Sequence, residues 1–218
     1  MNYQFYTNIP FQKNLLLLFF LFALSNMLSA QSKSEYKKIV KEHRQEYKAD
    51  FLKDQRSPFY KKKKALKKLD FYKADKDYKI ECQFSRTKDA ESFDMATYSG
   101  KVKSFVKYGV ITFNISGQSQ ELSIYRNLGL MRMEEYRDHL FLPFKDATSG
   151  ETTYGGGRYI DLEVENIKDG KVMIDFNKCY NPWCAFSAGY NCPVPPKENH
   201  LSIAIEAGEK NFKGKKYK

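Results

Sequence analysis

Residues 159–176 read YIDLEVENIKDGKVMIDF: two apolar rows on either side of a reversal. Ile160, Leu162 and Val164 alternate with Asp161, Glu163 and Glu165. Val172, Ile174 and Phe176 alternate with Met173 and Asp175. A period of two is the mark of a half-buried strand. Between the rows lies Lys168-Asp169-Gly170. A two-residue Asp-Gly loop would pair Lys168 with Lys171 and set the two apolar rows on opposite faces. A three-residue loop with Gly170 in the left-handed region pairs Ile167 with Lys171 and puts all six apolar residues on one face. A one-residue slip sends half of them to water, so the pattern predicts the three-residue loop. In that register Val164 faces Ile174, Leu162 faces Phe176, and Asp161, Glu163, Glu165, Asp175 and Asn177 share the other face. Glu163 then lies opposite Asp175. Facing carboxylates repel by some tenths of a kcal/mol. They call for a neighbouring lysine such as Lys101 or Lys103, for a bound cation, or for a carboxyl whose raised pKa suits proton transfer.

The same period extends upstream. From Tyr78 onward Ile80, Cys82 and Phe84 alternate with polar residues, so Cys82 reads as a small core residue. Phe105 to Tyr125 reads as a hairpin, with Ile111, Phe113 and Ile115 on one strand, Leu122 and Ile124 on the other, and Ser116-Gly117-Gln118-Ser119 between. Leu140, Leu142 and Phe144 alternate after a short helical stretch. Leu201 to Glu206 completes the set as a last strand with Leu201, Ile203 and Ile205 inward, after which Ala207-Gly208-Glu209 turns the chain out and a lysine-rich tail frays. The expected fold is mainly β, an antiparallel barrel or sandwich with an N-terminal amphipathic helix.

That helix is read from Glu35, capped by Ser32 or Ser34, with Tyr36, Ile39, Val40, His43, Tyr47 and Phe51 on one face and Pro58 ending the pattern. Residues 1–30 have the order of a secretory signal: Lys13, the unbroken apolar run Leu15 to Leu24, then Leu28-Ser29-Ala30 before Gln31. The run is shorter than the roughly 20 residues that span a bilayer. A cleaved leader and a secreted or periplasmic destination are therefore expected, with a membrane anchor over residues 15–28 as the alternative. The chain divides into this leader, a helix and basic connector over 31–77, a β domain over 78–210 and a basic tail over 211–218.

Aromatics make up 16% of the chain, which excludes disorder over most of it. The net charge is +11, concentrated at Lys61, Lys62, Lys63, Lys64, Lys67 and Lys68. Such a run is either a solvated face or a contact for an anionic surface. It lacks the arginines and interleaved aromatics of a base-reading surface, so no nucleic acid partner is expected.

Three of the four cysteines, the one tryptophan and His200 fall in DFNKCYNPWCAFSAGYNCPVPPKENH, residues 175–200. In an exported chain, Cys184 and Cys192 are the natural disulfide: the loop between them contains Gly189, and closing it would stabilise by roughly 2.6 kcal/mol. Cys179, Cys184, Cys192 and His200 are also zinc-compatible ligand types, without the tight spacing of a strong zinc motif. Free thiols and a catalytic thiol with His200 as base complete the alternatives. Tyr180 and Trp183, beside Asn177, Asn181 and Asn199, are candidates to hold a sugar or small polar ligand, or to pack as a lid over the sheet end. Thr153-Tyr154-Gly155-Gly156-Gly157-Arg158 suggests an anion cradle, against a turn whose arginine pairs a carboxylate; the ending of a nucleotide P-loop is missing. No cofactor fingerprint is present.

The runs Phe144 to Gly150, Thr153 to Tyr159, Asp175-Phe176-Asn177, Tyr180-Asn181-Pro182 with Cys184-Ala185-Phe186, Cys192 to Asn199 and Ala207-Gly208-Glu209 together resemble a bacterial family known as domain of unknown function 1684. The likeness covers roughly residues 136–210 and weakens upstream. Cys179 and His200 depart from the family pattern, which more often carries alanine and arginine there. The resemblance implies a fold unit and a residue set, and no chemistry. The functional expectation is an exported, small-ligand-binding or interaction β domain of the bacterial envelope, with Arg158, Asp161, Asn177, Tyr180, Asn181, Trp183 and Asn199 as ligand candidates. The alternative is a small hydrolase with Asp175 or Glu198 as base and Arg158 steadying an anion.

Overall fold

The structure, a computed structural model, describes residues 11–217, with side chains from Gln31 onward. The expected leader, residues 1–30, lies outside the residues whose side chains are described. Among the described residues no helix is long and apolar enough to cross a membrane.

Helix α1 (Phe11–Lys53) runs through Ser32 and Ser34, so neither begins it. Its buried stripe is Tyr36, Val40 and Phe51, with Arg44 and Tyr47 half-buried at the intervening turns. Ile39, expected on that face, is 44% exposed because the stripe steps by four residues from Tyr36 and leaves it at the edge. The helix ends at Lys53 and the basic connector follows, with 3₁₀ turns over Ala65–Lys68 and, just before the first strand, Lys76–Tyr78.

Eight strands form one antiparallel sheet: β1 (Lys79–Arg86), β2 (Ser92–Ala96), β3 (Val102–Ile115), β4 (Gln118–Asn127), β5 (His139–Phe144), β6 (Arg158–Glu163), β7 (Ile167–Lys168) and β8 (Lys171–Asp175). Their order is β6-β5-β4-β3-β1-β8-β7, with β2 on β3. The ladder is not closed. Leu140, Leu142 and Ile160 from one end share a core with Cys82, Val172 and Ile174 from the other. The sheet therefore curls over itself in a sandwich-like way, and β6 meets β8 face to flank without pairing. The β3–β4 hairpin is as expected: Ile111 pairs with Leu122, and the two-residue turn is Ser116-Gly117, both at positive φ.

The 159–176 stretch departs from its expected register. Lys168 pairs with Lys171 and Ile167 with Val172, so the turn is the two-residue one, with Asp169 at φ 51° and Gly170 at φ 70°. β6 pairs with β5 instead, setting Glu163 opposite His139, while Asp175 pairs with Lys79 on β1. Glu163 and Asp175 never face each other. The physical reason is a 3₁₀ turn over Val164–Asn166, closed by a reciprocal Glu163–Asn166 cap. It breaks the alternation, so the two rows reach the same core from different strands without sharing a register.

The last predicted strand is irregular chain. Leu201 and Ile205 are nevertheless buried in the main core, held by Leu201 N–H to the Lys145 carbonyl (2.8 Å) and Ile205 N–H to Asp146 Oδ2 (2.7 Å). Ala207-Gly208-Glu209 does not turn outward: Ala207 and Glu209 are fully buried. A Cβ at Gly208, φ 75°, would collide with Cys179 Sγ and the Phe176 carbonyl, so the close approach depends on glycine. The tail is also ordered against the body, with Phe212 tilted against Phe59 and Tyr217 edge-on to it in a second apolar cluster with Phe51 and Phe186. A third cluster, Met95, Phe105, Tyr125, Phe141 and Tyr159, covers the opposite face of the sheet.

Candidate functional site

Where β6 and β8 fail to pair, the seam opens into a cleft of about 650 Å³. Its walls come from α1 (His43), β1 (Lys79), β6 (Asp161), β8 (Asp175) and the following segment (Lys178, Tyr180). Glu165 and Lys168 also line it, so carboxylates and ammonium groups meet in one cleft.

Two of its carboxylates are positioned by neighbours. Asp175 accepts from Tyr36 Oη at 2.7 Å and from the Asn177 amide at 3.1 Å, and Asn177 Nδ2 in turn donates to Tyr36 Oη at 2.8 Å. Burial, reinforced by the Asp175 carboxylate, pushes the Tyr36 hydroxyl far up, so it remains a donor. Asp161 accepts from Tyr180 Oη at 2.5 Å on one oxygen and meets His139 Nε2 at 3.0 Å on the other. Burial pulls the His139 pKa down, but the Asp161 hydrogen bond and charge outweigh it and the net direction is up. His43 goes the other way, held below its ordinary range by burial and by the Lys178 ammonium.

The expected site residues divide. Asp161, Asp175 and Tyr180 line the seam, and Asn177 braces it from beneath. Arg158 points the opposite way. Its guanidinium is fully buried, paired with Asp146 at 3.2 Å, bonded to the carbonyls of Ile205 (2.9 Å) and Ala207, and stacked over Phe144. No anion cradle forms, and the Gly157 amide is spent on the Tyr154 carbonyl. Glu198 lies elsewhere, bound by Lys107 Nζ at 2.7 Å and Tyr125 Oη at 2.8 Å, with Lys107 holding its pKa low. The three residues of the hydrolase reading are thus engaged in separate contacts. Asn199 is buried bridging Ser123 and the Pro143 carbonyl, and Asn181 is buried against the Lys210 carbonyl.

Trp183 lines a second cleft of about 400 Å³ with Tyr159, Tyr190, Lys103 and Cys192, and Tyr180 is the wall between the two clefts. All four cysteines are free, and the expected Cys184–Cys192 bridge is not formed, although the two residues adjoin: the Cys184 amide donates to Cys192 Sγ at 3.3 Å. The zinc-type series does not assemble. Cys179 Sγ points at the Ala207 carbonyl and His200 at the Pro195 carbonyl, and among the described residues no cluster of three or more ligand types could hold a metal ion.

Sequence reasoning missed Glu209, the most unusual ionisable group. It is fully buried, accepts from Tyr47 Oη (2.9 Å) and the Asn181 amide (2.8 Å), and leaves Oε1 without a partner. Burial pushes its pKa up to about 8, against the pull of those hydrogen bonds and of Arg158. The missing signal was long-range: Glu209 looked like part of an exposed turn. His43 reads from sequence as a helix-face packing residue and Lys79 carries no local signal; only the seam brings them together.

Residues 64–210 match the family described as "Protein of unknown function (DUF1684)". The chain belongs to that family. Among solved structures it is similar to an uncharacterised protein of Haloarcula marismortui, determined in solution by NMR, with 29% identity, a TM-score of 0.62, and coverage of 83% of this chain and 96% of that one. Comparison with curated proteins finds no match.

Proposed function

We propose that this protein is a binding domain for a small polar ligand carrying both charges, or hydroxyls able to bridge them, and that the seam cleft is its site. The observation that carries this reading is the meeting of Asp161 and Asp175 with Lys79 and Lys178 around an unpaired strand junction. Concave sites with a few convergent polar groups are the usual form of ligand pockets, and Tyr36 and Tyr180 pre-orient the two carboxylates, which lowers the ordering cost of binding. The test is a thermal-shift screen over amino acids, sugars, phosphates and divalent ions, followed by titration calorimetry. A genuine ligand loses at least tenfold in affinity with Asp161→Asn or Lys79→Ala. Unchanged affinity in both variants, or no stabilising compound in any class, overturns the reading.

We also propose that the chain is exported after removal of residues 1–30, supported by Lys13, the apolar run Leu15–Leu24 and Ala30. Mass spectrometry of protein from the native host should find a mature N-terminus at or near Gln31; an intact Met1 form in the soluble cytosol overturns it. The lysines at 61–64, 67 and 68 are proposed as a contact for an anionic surface. Lys213 adds to them in space, its amide bonded to the Lys68 carbonyl at 3.0 Å.

A further inference from the structure

We propose that Cys184 and Cys192 form a reversible dithiol–disulfide pair, closed by exchange with a small-molecule disulfide that enters through the aromatic cleft and reopened by a small-molecule thiol. This is independent of the seam ligand.

Geometry carries the pairing. The Cys184 amide donates to Cys192 Sγ at 3.3 Å, and Cys184 Sγ donates to the Tyr190 carbonyl at 3.3 Å. The residues that join them turn at Gly189, φ 86°, where a Cβ would meet nothing, so the loop has room to adjust as the sulfurs close. Access is one-sided. Cys192 lines the cleft walled by Trp183 and Tyr190, with Lys103 at its edge. Cys82 and Cys179 sit in the main core, where burial pushes their thiols up to about 12 and about 11. The pair is different: the Cys192 hydrogen bond, helped by Lys216 and Lys103, holds Cys184 down to about 7, while the same bond keeps the proton on Cys192. Cys184 is thus the member of the pair biased toward the thiolate, and the thiolate is the nucleophile.

The exchange balances. The thiolate of the pair attacks one sulfur of the disulfide, forming a mixed disulfide and releasing the other half as a thiolate, which takes up a proton. The second protein thiol loses its proton and displaces the remaining half. The protein gives up two electrons and two protons, and the small disulfide becomes two thiols. Because Trp183 adjoins Cys184 in the chain and packs edge to face on Tyr190 at 5.2 Å, and Tyr190 Oη is tied to the Arg56 carbonyl at 2.7 Å, closing the bridge resets the cleft wall.

The full chain, reduced and then exposed to glutathione disulfide, tests this. Peptide mapping should show one link, 184–192, formed at least about tenfold faster than Cys82 or Cys179 is consumed. The emission of Trp183, the one tryptophan, should shift with the link and return on adding reduced thiol. Cys192→Ser and Cys184→Ser should each stop at a glutathione adduct on the remaining thiol of the pair with no link, and circular dichroism checks that each remains folded. Equal consumption of all four thiols, a link through Cys82 or Cys179, or no link at all overturns the proposal.

Discussion

Arg158 and Asp161 stand on the same strand and hold ion pairs of nearly equal length, 3.2 Å to Asp146 and 3.0 Å to His139. Their surroundings differ completely. The first pair has both side chains fully buried, while the second leaves its partners 16% and 46% exposed. Strand alternation sends Arg158 to the core side with Ile160 and Leu162, and Asp161 to the seam. The buried pair is supported by further bonds: Asp146 also accepts from Thr148 Oγ1 at 2.8 Å, Ser149 Oγ at 3.1 Å and the Ile205 amide, although Arg158 Nε is left without a partner. It pins the irregular 201–209 segment beneath the sheet. The exposed pair pins nothing so deep. Charge type and distance alone do not separate a buried structural pair from a solvent-accessible one; burial does.

The sharpest way to break this contrast is Arg158→Met. It strands Asp146 without its counter-charge in the core and should lower unfolding free energy by about 3–5 kcal/mol in chemical denaturation. A loss below about 1 kcal/mol would put Arg158 in the same class as Asp161 and remove the distinction. Next comes Glu209, whose backbone carbonyl also approaches Arg158, at 3.5 Å. Its folded pKa, about 8, lies above the value of about 4.3 expected in the unfolded chain. The folded state therefore binds the extra proton in between, and stability falls as pH rises through that window. Glu209→Gln should flatten the fall and be a few kcal/mol less sensitive to pH between about 5 and 8; parallel profiles for the two proteins would show an ionised, well-compensated Glu209. The smallest effect is expected at the seam. The His139 pKa is raised, so its pair with Asp161 contributes fully below about pH 6.5 and the contribution is lost as pH rises through the folded value. With Asp161 nearly half exposed, His139→Asn should cost at most about 1 kcal/mol, at acid pH only. A larger loss, or one that persists at pH 8, would mean the seam pair is as structural as the buried one.

Much of the sheet was legible because its signals are local. The β3–β4 hairpin could be placed from Ile111, Phe113 and Leu122 with the turn at Gly117, and Cys82 was assigned inward from its two neighbours alone. The YIDLEVENIKDGKVMIDF stretch shows the limit. Its Asp169-Gly170 reversal was identified, but the alternation was read as one continuous hairpin; Asn166, a polar residue at an apolar position of the row, was the one local sign of the Val164–Asn166 turn. At the candidate site Asp161, Asp175, Asn177 and Tyr180 were found through their polar parity on the strands and in the aromatic loop. For Arg158 the sequence left an anion cradle and a carboxylate pair both open. The pair forms, but with Asp146 in the core and not with the acidic strand residues, and glycines beside an arginine look the same whether the guanidinium ends in water or under three backbone carbonyls.

Composition, strand periodicity, the positive-φ turns and the family motifs were properties of neighbouring residues, and short-range sterics and burial parity suffice to read them. Folding of the chain was needed for everything that depends on which distant segments meet. Strand order, the unpaired β6–β8 seam, the burial of Arg158 and Glu209, and the nearness of Cys184 to the Trp183 cleft each result from competition among many long-range pairings. That competition is settled by the total apolar area and hydrogen bonding of the closed core, which no single stretch of sequence contains.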